Sequence, residues 1–128
     1  MTKRVLIVDD EAHIRLLLEQ TLDVLVDAGV ELSTAGDGGT ALEIIRAEKP
    51  ELVLLDVMMP VLNGFDVCKR VKADPELRGV FVMMLTAKGQ ELDRATGAEV
   101  GADLYLTKPF DPDDVLRRAA GVLGIELE

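Results

Sequence analysis

Glu51-Leu52-Val53-Leu54-Leu55-Asp56 is the stretch that decides the fold. Leu52–Leu55 is apolar at every position, with no alternation of polar and apolar residues. Such a run belongs to a strand covered on both faces, as a central strand of a parallel sheet is. It ends in a carboxylate, Asp56, and a buried carboxylate needs a compensating partner.

Working outward, three more strand-like runs end next to residues of similar promise. Val5-Leu6-Ile7-Val8 leads into Asp9-Asp10, Val80–Leu85 into Thr86, and Leu104-Tyr105-Leu106 towards Lys108. A fifth, shorter run is Glu31–Ala35. Helix-like segments separate them. Glu11 to Ala28 carries Ile14, Leu17, Leu18, Leu22 and Leu25 at helical spacing and stops at Gly29. Asp37 is placed to cap a second helix carrying Ala41, Leu42 and Ile45, with Pro50 beyond its end. A third runs from about Asn63 to Ala73, and a weaker fourth from Gln90 to about Val100. The last has the clearest start: Asp111 as cap, Pro112 in the first turn, then Asp113 and Asp114 against the helix dipole, with Gly124 as the stop. Alternation of strands and helices predicts a doubly wound α/β fold, a five-stranded parallel sheet with five helices. No linker, repeat or low-complexity tract interrupts it, so residues 1–128 are expected to form a single domain.

Composition narrows the function. Asp and Glu number 24 against 14 Lys and Arg, a formal charge of −10. Phosphate contacts dominate nucleic-acid affinity, so no nucleic acid is expected to bind this domain alone. The acidity favours a cation and basic partner surfaces. Cys68, the one cysteine, lies in a helix-like apolar pattern and reads as a buried small hydrophobe. No membrane association is expected, because no apolar run approaches spanning length and no secretory signal is visible. A cytoplasmic location is the default.

Ligands of open α/β sheets bind outside the carboxyl ends of the strands. The topology therefore gathers Asp9, Asp10, Asp56, Thr86 and Lys108 from positions far apart in the chain. Asp9-Asp10 taken alone is ambiguous, since Asp10 and Glu11 would also favour the dipole of the helix that follows. Asp10 and Asp56 offer the one or two carboxylates by which Mg²⁺ is usually held. An Asp carboxylate can attack phosphorus to give an aspartyl phosphate. Lys108 would then meet one phosphoryl oxygen as a point charge, and Thr86 another as a hydroxyl donor.

The motifs make a known pattern. Val8-Asp9-Asp10, Leu55-Asp56-Val57-Met58-Met59-Pro60 with Gly64 following, Leu85-Thr86-Ala87, Gly101-Ala102-Asp103 and Tyr105–Phe110 together resemble the receiver domain of two-component response regulators over essentially the whole chain. The resemblance implies a flavodoxin-like fold with strand order 2-1-3-4-5. It implies a signalling domain rather than an enzyme with turnover, in which Asp56 accepts a phosphoryl group from the phosphohistidine of a histidine kinase or histidine phosphotransfer protein. Asp10, Asp56 and the backbone carbonyl of Met58 would ligate Mg²⁺ or Mn²⁺, with Asp9 acting through water. Thr86 and Tyr105 resemble the switch pair, Lys108 the phosphate-pairing lysine, and Lys108-Pro109 a cis peptide. The face built from the fourth helix, fifth strand and fifth helix would carry the signal to a downstream protein or output domain, in a monomer or in a homodimer formed on phosphorylation. Met58 and Lys88 flank the expected pocket. A thioether orients an attacking water poorly, so slow self-dephosphorylation is expected.

Two rival readings fit less well. A flavin electron carrier needs a phosphate-cradling first loop, whereas Asp9-Asp10-Glu11 repels phosphate, and aromatic content is only 3%. A small-molecule phosphatase with an Asp nucleophile needs a further acid/base, and position 58 is Met. His13, the only histidine, lies in the first turn of a helix and reads as surface. Met58-Met59 and Met83-Met84 read as core and strand filler.

Overall fold

Leu52–Leu55 is buried at every position, and the strand containing it lies in the middle of the sheet. The computed structural model describes residues 3–57, 59, 62–87, 101–108 and 110–127. In chain order the elements are β1 (Arg4–Val8), α1 (Ala12–Asp27), β2 (Glu31–Ala35), α2 (Gly38–Glu48), β3 (Leu52–Asp56), α3 (Gly64–Ala73), β4 (Phe81–Ala87), β5 (Leu104–Lys108) and α4 (Pro112–Leu123). The strands pair in parallel in the order β2-β1-β3-β4-β5. The described residues thus contain four of the five expected helices. The one expected from Gln90 to about Val100 falls outside them, and α4 is the last of the sequence reading.

Strand side chains alternate between faces, and here the alternation separates two cores. Leu6, Val8, Val53, Leu55, Val82 and Met84 pack beneath α2 and α3 with Ala41, Ile45, Val67, Cys68 and Val71. Val5, Ile7, Leu52, Leu54, Met83 and Leu85 pack on the other face with Leu18, Leu22 and Leu25 of α1 and Val115, Ala119 and Leu123 of α4. Burial of each such leucine or isoleucine contributes roughly 1.5–3 kcal/mol, which gives the sheet a rigid centre.

The helix ends follow local chemistry. Asp37 accepts from the Thr40 amide at 2.7 Å, Asn63 from the Asp66 amide at 3.0 Å, and Asp111 from the Asp113 amide at 3.0 Å. Gly124 closes α4 in the left-handed region. Lys49 closes α2 in the same region without being glycine, which the sequence pattern did not signal.

One refinement concerns the strand ends. The apolar runs stop at Leu55, Leu85 and Leu106, but pairing continues through Asp56↔Leu85, Thr86↔Thr107 and Ala87↔Lys108. Asp56, Thr86 and Lys108 therefore belong to the strands rather than to the loops after them. Ladder hydrogen bonds extend to the last residue that can pair, whatever its side chain. Val80, assigned to the strand by its apolarity, is a buried bend just before β4. None of the described helices is long and apolar enough to cross a membrane.

Candidate functional site

Among the described residues just three buried side chains are polar: Asp9, Asp56 and Thr86. All three stand at the carboxyl edge, after β1, at the end of β3 and near the end of β4. Polar groups at such depth are costly unless matched, and each has a partner. Asp9 Oδ1 accepts from the Glu11 amide at 2.9 Å and Oδ2 from Lys108 Nζ at 2.8 Å. The same ammonium lies 3.3 Å from Asp56 Oδ1. Thr86 Oγ1 is turned to the Leu106 carbonyl at 3.5 Å, the long limit of a hydrogen bond. A lysine at the end of β5 thus reaches back to carboxylates on β3 and after β1.

Asp10 completes the cluster. Carboxylate oxygens of Asp9, Asp10 and Asp56 lie within 4.8 Å of one another. Asp10 is exposed, and among the described residues its carboxylate makes no hydrogen bond or ion pair. It does not cap α1, whose N-cap, Glu11, makes no side-chain cap hydrogen bond. At the helix start it is Asp9, through the Glu11 amide, and not Asp10 that makes the hydrogen bond.

Among the described residues the charge balance is lopsided: three carboxylates face one ammonium. Burial and the neighbouring Asp9 charge push the Asp56 carboxyl up to about 6, against the opposing pull of Lys108. Burial also disfavours the Lys108 ammonium, but Asp9 and Asp56 outweigh that, and its pKa lies above the ordinary lysine value. The donor set is all oxygen, carries excess negative charge and includes one uncommitted carboxylate. Those properties fit a hard divalent cation such as Mg²⁺.

The loop after β3 folds tightly onto this edge. The Gly64 amide donates to the Val57 carbonyl at 2.8 Å, and a Cβ at Gly64 would lie 2.3 Å from the Asp56 carbonyl oxygen. Only glycine permits that approach.

Comparison with known proteins agrees with the geometry. Residues 5–120 match the family model described as the response regulator receiver domain. The chain belongs to that family. It is 43% identical over 123 residues to the alkaline phosphatase synthesis transcriptional regulatory protein PhoP of Bacillus subtilis, covering 96% of this chain and 49% of that one. It is 44% identical over 118 residues to the DNA-binding response regulator MtrA of Mycolicibacterium paratuberculosis, covering 92% and 50%. Among solved structures, the chemotaxis response regulator CheY4 of Vibrio cholerae superposes with a TM-score of 0.83 at 34% identity, covering 95% of this chain and 99% of that one. The chain spans about half the length of the curated relatives it matches.

Within this receiver domain the other expected site residues fall as follows. Tyr105 pairs in register with Met84, two positions before Thr86 on β4, so strand alternation puts Thr86 and Tyr105 on one face. Tyr105 packs against the core beneath α2 and α3, with its hydroxyl buried. Met58, Lys88 and Pro109 lie outside the described residues, and with them the expected carbonyl ligand, the lysine expected to flank the pocket and the expected cis peptide. His13 is exposed, beside Glu11 at 3.3 Å. Met83 and Met84 are core, and Met59 packs against it.

Sequence reasoning missed two features. Arg15 Nη1 donates to the Asp9 carbonyl at 2.6 Å. Lys72 Nζ meets Asp103 Oδ2 at 2.7 Å and the Val80 carbonyl at 2.6 Å, at the opposite edge of the sheet. In the sequence Asp103 stands out only as part of Gly101-Ala102-Asp103. The Arg15 signal, an arginine six residues after Asp9 on the following helix, was available but looks like an ordinary surface charge.

Proposed function

We propose that this receiver domain accepts a phosphoryl group on Asp56 from the phosphohistidine of a histidine kinase or histidine phosphotransfer protein, and that the modified domain signals to a downstream protein or output domain. The observation that carries the reading is the gathering of Asp9, Asp10 and Lys108 around the buried Asp56 carboxylate at the carboxyl edge.

In this reading Asp10, Asp56 and the Met58 carbonyl hold Mg²⁺ or Mn²⁺, with Asp9 acting through water. The cation, when bound, offsets the clustered negative charge and favours approach of an anionic phosphoryl group. Burial makes Asp56 more basic than an ordinary carboxylate, and it remains mostly ionised at neutral pH. Its oxygen forms a bond to phosphorus as the P–N bond of the donor breaks, the electron pair leaving with the imidazole nitrogen. Lys108, already 3.3 Å from Asp56, exchanges that contact for a phosphoryl oxygen. Asp9 Oδ2 holds the ammonium in place throughout. Thr86 gives up its long bond to Leu106 for a phosphoryl oxygen, and Tyr105 occupies the space that Thr86 leaves. Phosphorylation thereby favours one of two arrangements, a population shift. The readout face combines the segment from Gln90 to about Val100 with β5 and α4, and homodimerisation on phosphorylation is one form the output takes. Residues 1–128 act as one domain, in the cytoplasm, where ATP-derived phosphodonors and Mg²⁺ are found. Relatives named as transcriptional regulators favour a transcriptional output in a longer protein.

Intact-mass measurement after acetyl phosphate and Mg²⁺ tests the centre of the reading. A single added phosphoryl group is expected on the parent and none on Asp56→Asn. A parent that gains none overturns it.

A further inference from the structure

Every polar group of Asp9 is engaged. Its amide donates to the Ala35 carbonyl at 3.2 Å, and its two carboxylate oxygens meet the Glu11 amide and Lys108. Its carbonyl accepts from the guanidinium of half-buried Arg15. That carbonyl belongs to the peptide joining Asp9 to Asp10. Asp10 itself is exposed, and its carboxylate has no hydrogen-bonding partner among the described residues. Among those residues its direction is set by its backbone, and Arg15 is the one side chain bonded to the preceding peptide. Room for the guanidinium comes from Gly36, where a Cβ would lie 3.2 Å from Arg15 Nη1. A charge-assisted hydrogen bond of 2.6 Å is a strong restraint on that peptide.

We infer that Arg15 is a positioning residue for the acid pocket: by fixing the Asp9–Asp10 peptide it aims the Asp10 carboxylate at the divalent cation. The inference rests on the reading of that pocket as a cation site. It makes a prediction opposite in sign to simple electrostatics. Removing a cationic side chain close to an acidic site should strengthen Mg²⁺ binding by charge alone. Loss of a positioning contact should weaken it, and residues that orient metal ligands typically contribute 10–100-fold in affinity.

The test is Mg²⁺ titration of the full chain without phosphodonor, followed by the amide resonances of residues 9–11, alongside urea unfolding in EDTA. Arg15→Ala is expected to bind Mg²⁺ roughly tenfold more weakly. Arg15→Lys, which keeps a donor, should recover much of that loss. Gly36→Ala, which keeps the charge but displaces the guanidinium, should weaken binding about two- to threefold on the same account. Wild-type or tighter Mg²⁺ affinity in Arg15→Ala, even with lowered stability, overturns the inference and leaves Arg15 a structural residue. If Arg15→Ala does not fold, wild-type affinity in Gly36→Ala does the same. A parent chain that binds no Mg²⁺ overturns the reading of the pocket, and this inference with it.

Discussion

Among the described residues two lysine–aspartate clusters stand out, one at each edge of the sheet, and they are built on opposite plans. At the amino edge Lys72 spends its three donors on the Arg78 carbonyl at 3.1 Å, the Val80 carbonyl at 2.6 Å and Asp103 Oδ2 at 2.7 Å. Asp103 Oδ2 also takes the Val82 amide at 2.9 Å. One ammonium meets one carboxylate and backbone groups absorb the rest, so the cluster is balanced and complete. It ties the end of α3 to the starts of β4 and β5. At the carboxyl edge Lys108 faces Asp9 and Asp56, with Asp10 nearby and uncommitted among the described residues. That cluster keeps surplus charge and an open carboxylate. A closed ion pair supports a fold, whereas an outnumbered one is ready for a further cation and an incoming anion.

The contrast breaks most easily at the two lysines. Lys108→Ala should slow phosphorylation by acetyl phosphate about a hundredfold, the scale of losing one charged group that meets the transferring phosphoryl. Its circular dichroism should stay native. Lys72→Ala should spare the chemistry, with phosphorylation within about twofold of the parent and a loss of roughly 2 kcal/mol in urea unfolding. Breaking a buried pair costs 3–5 kcal/mol, and the partial exposure of this one reduces that. Equal effects of the two substitutions on phosphorylation would erase the distinction.

Next in size is a pH effect confined to the open cluster. The Asp56 carboxyl titrates at about 6 in the folded chain and near 4 in the unfolded one. Between those values the folded state binds the extra proton, so acidification through that window relieves a cost carried at neutral pH. In EDTA, Asp56→Asn should therefore exceed the parent in stability by about 1–2 kcal/mol at pH 7.5, and the gap should close towards pH 4. Mg²⁺ should narrow it at pH 7.5. A gap that stays constant across pH would show that Asp56 is not strained by its surroundings. The smallest effect concerns lifetime. Met58→Asn, which supplies an amide to orient water, should speed phosphate release from the phosphorylated domain about threefold. An unchanged rate would remove water orientation as the cause of a long-lived signal.

The two clusters were not equally visible in the sequence. The carboxyl-edge residues could be read because each follows an apolar run, and parallel strands bring those ends together whatever their separation. Where each strand stops was less legible: Asp56, Thr86 and Lys108 pair within the ladder, and backbone pairing leaves no mark on side-chain type. Lys72 and Asp103 lie 31 positions apart in no shared periodic pattern, so their pairing emerges only once α3 and β5 are packed. Arg15 was obscured for another reason. A charged residue on an amphipathic helix reads as solvated, and nothing in the one-dimensional pattern says that Gly36 leaves space for it.

Cys68 has a use outside signalling. It is fully buried beneath the sheet, and burial pushes its thiol up to about 11, so at neutral pH almost none of it is the reactive thiolate. As the chain's only cysteine, it is a built-in clock for breathing of the α3 side. A thiol-modifying dye added to the native protein reacts as fast as that core opens, and comparing the rate with and without the aspartyl phosphate times how far the signal loosens or tightens the interior.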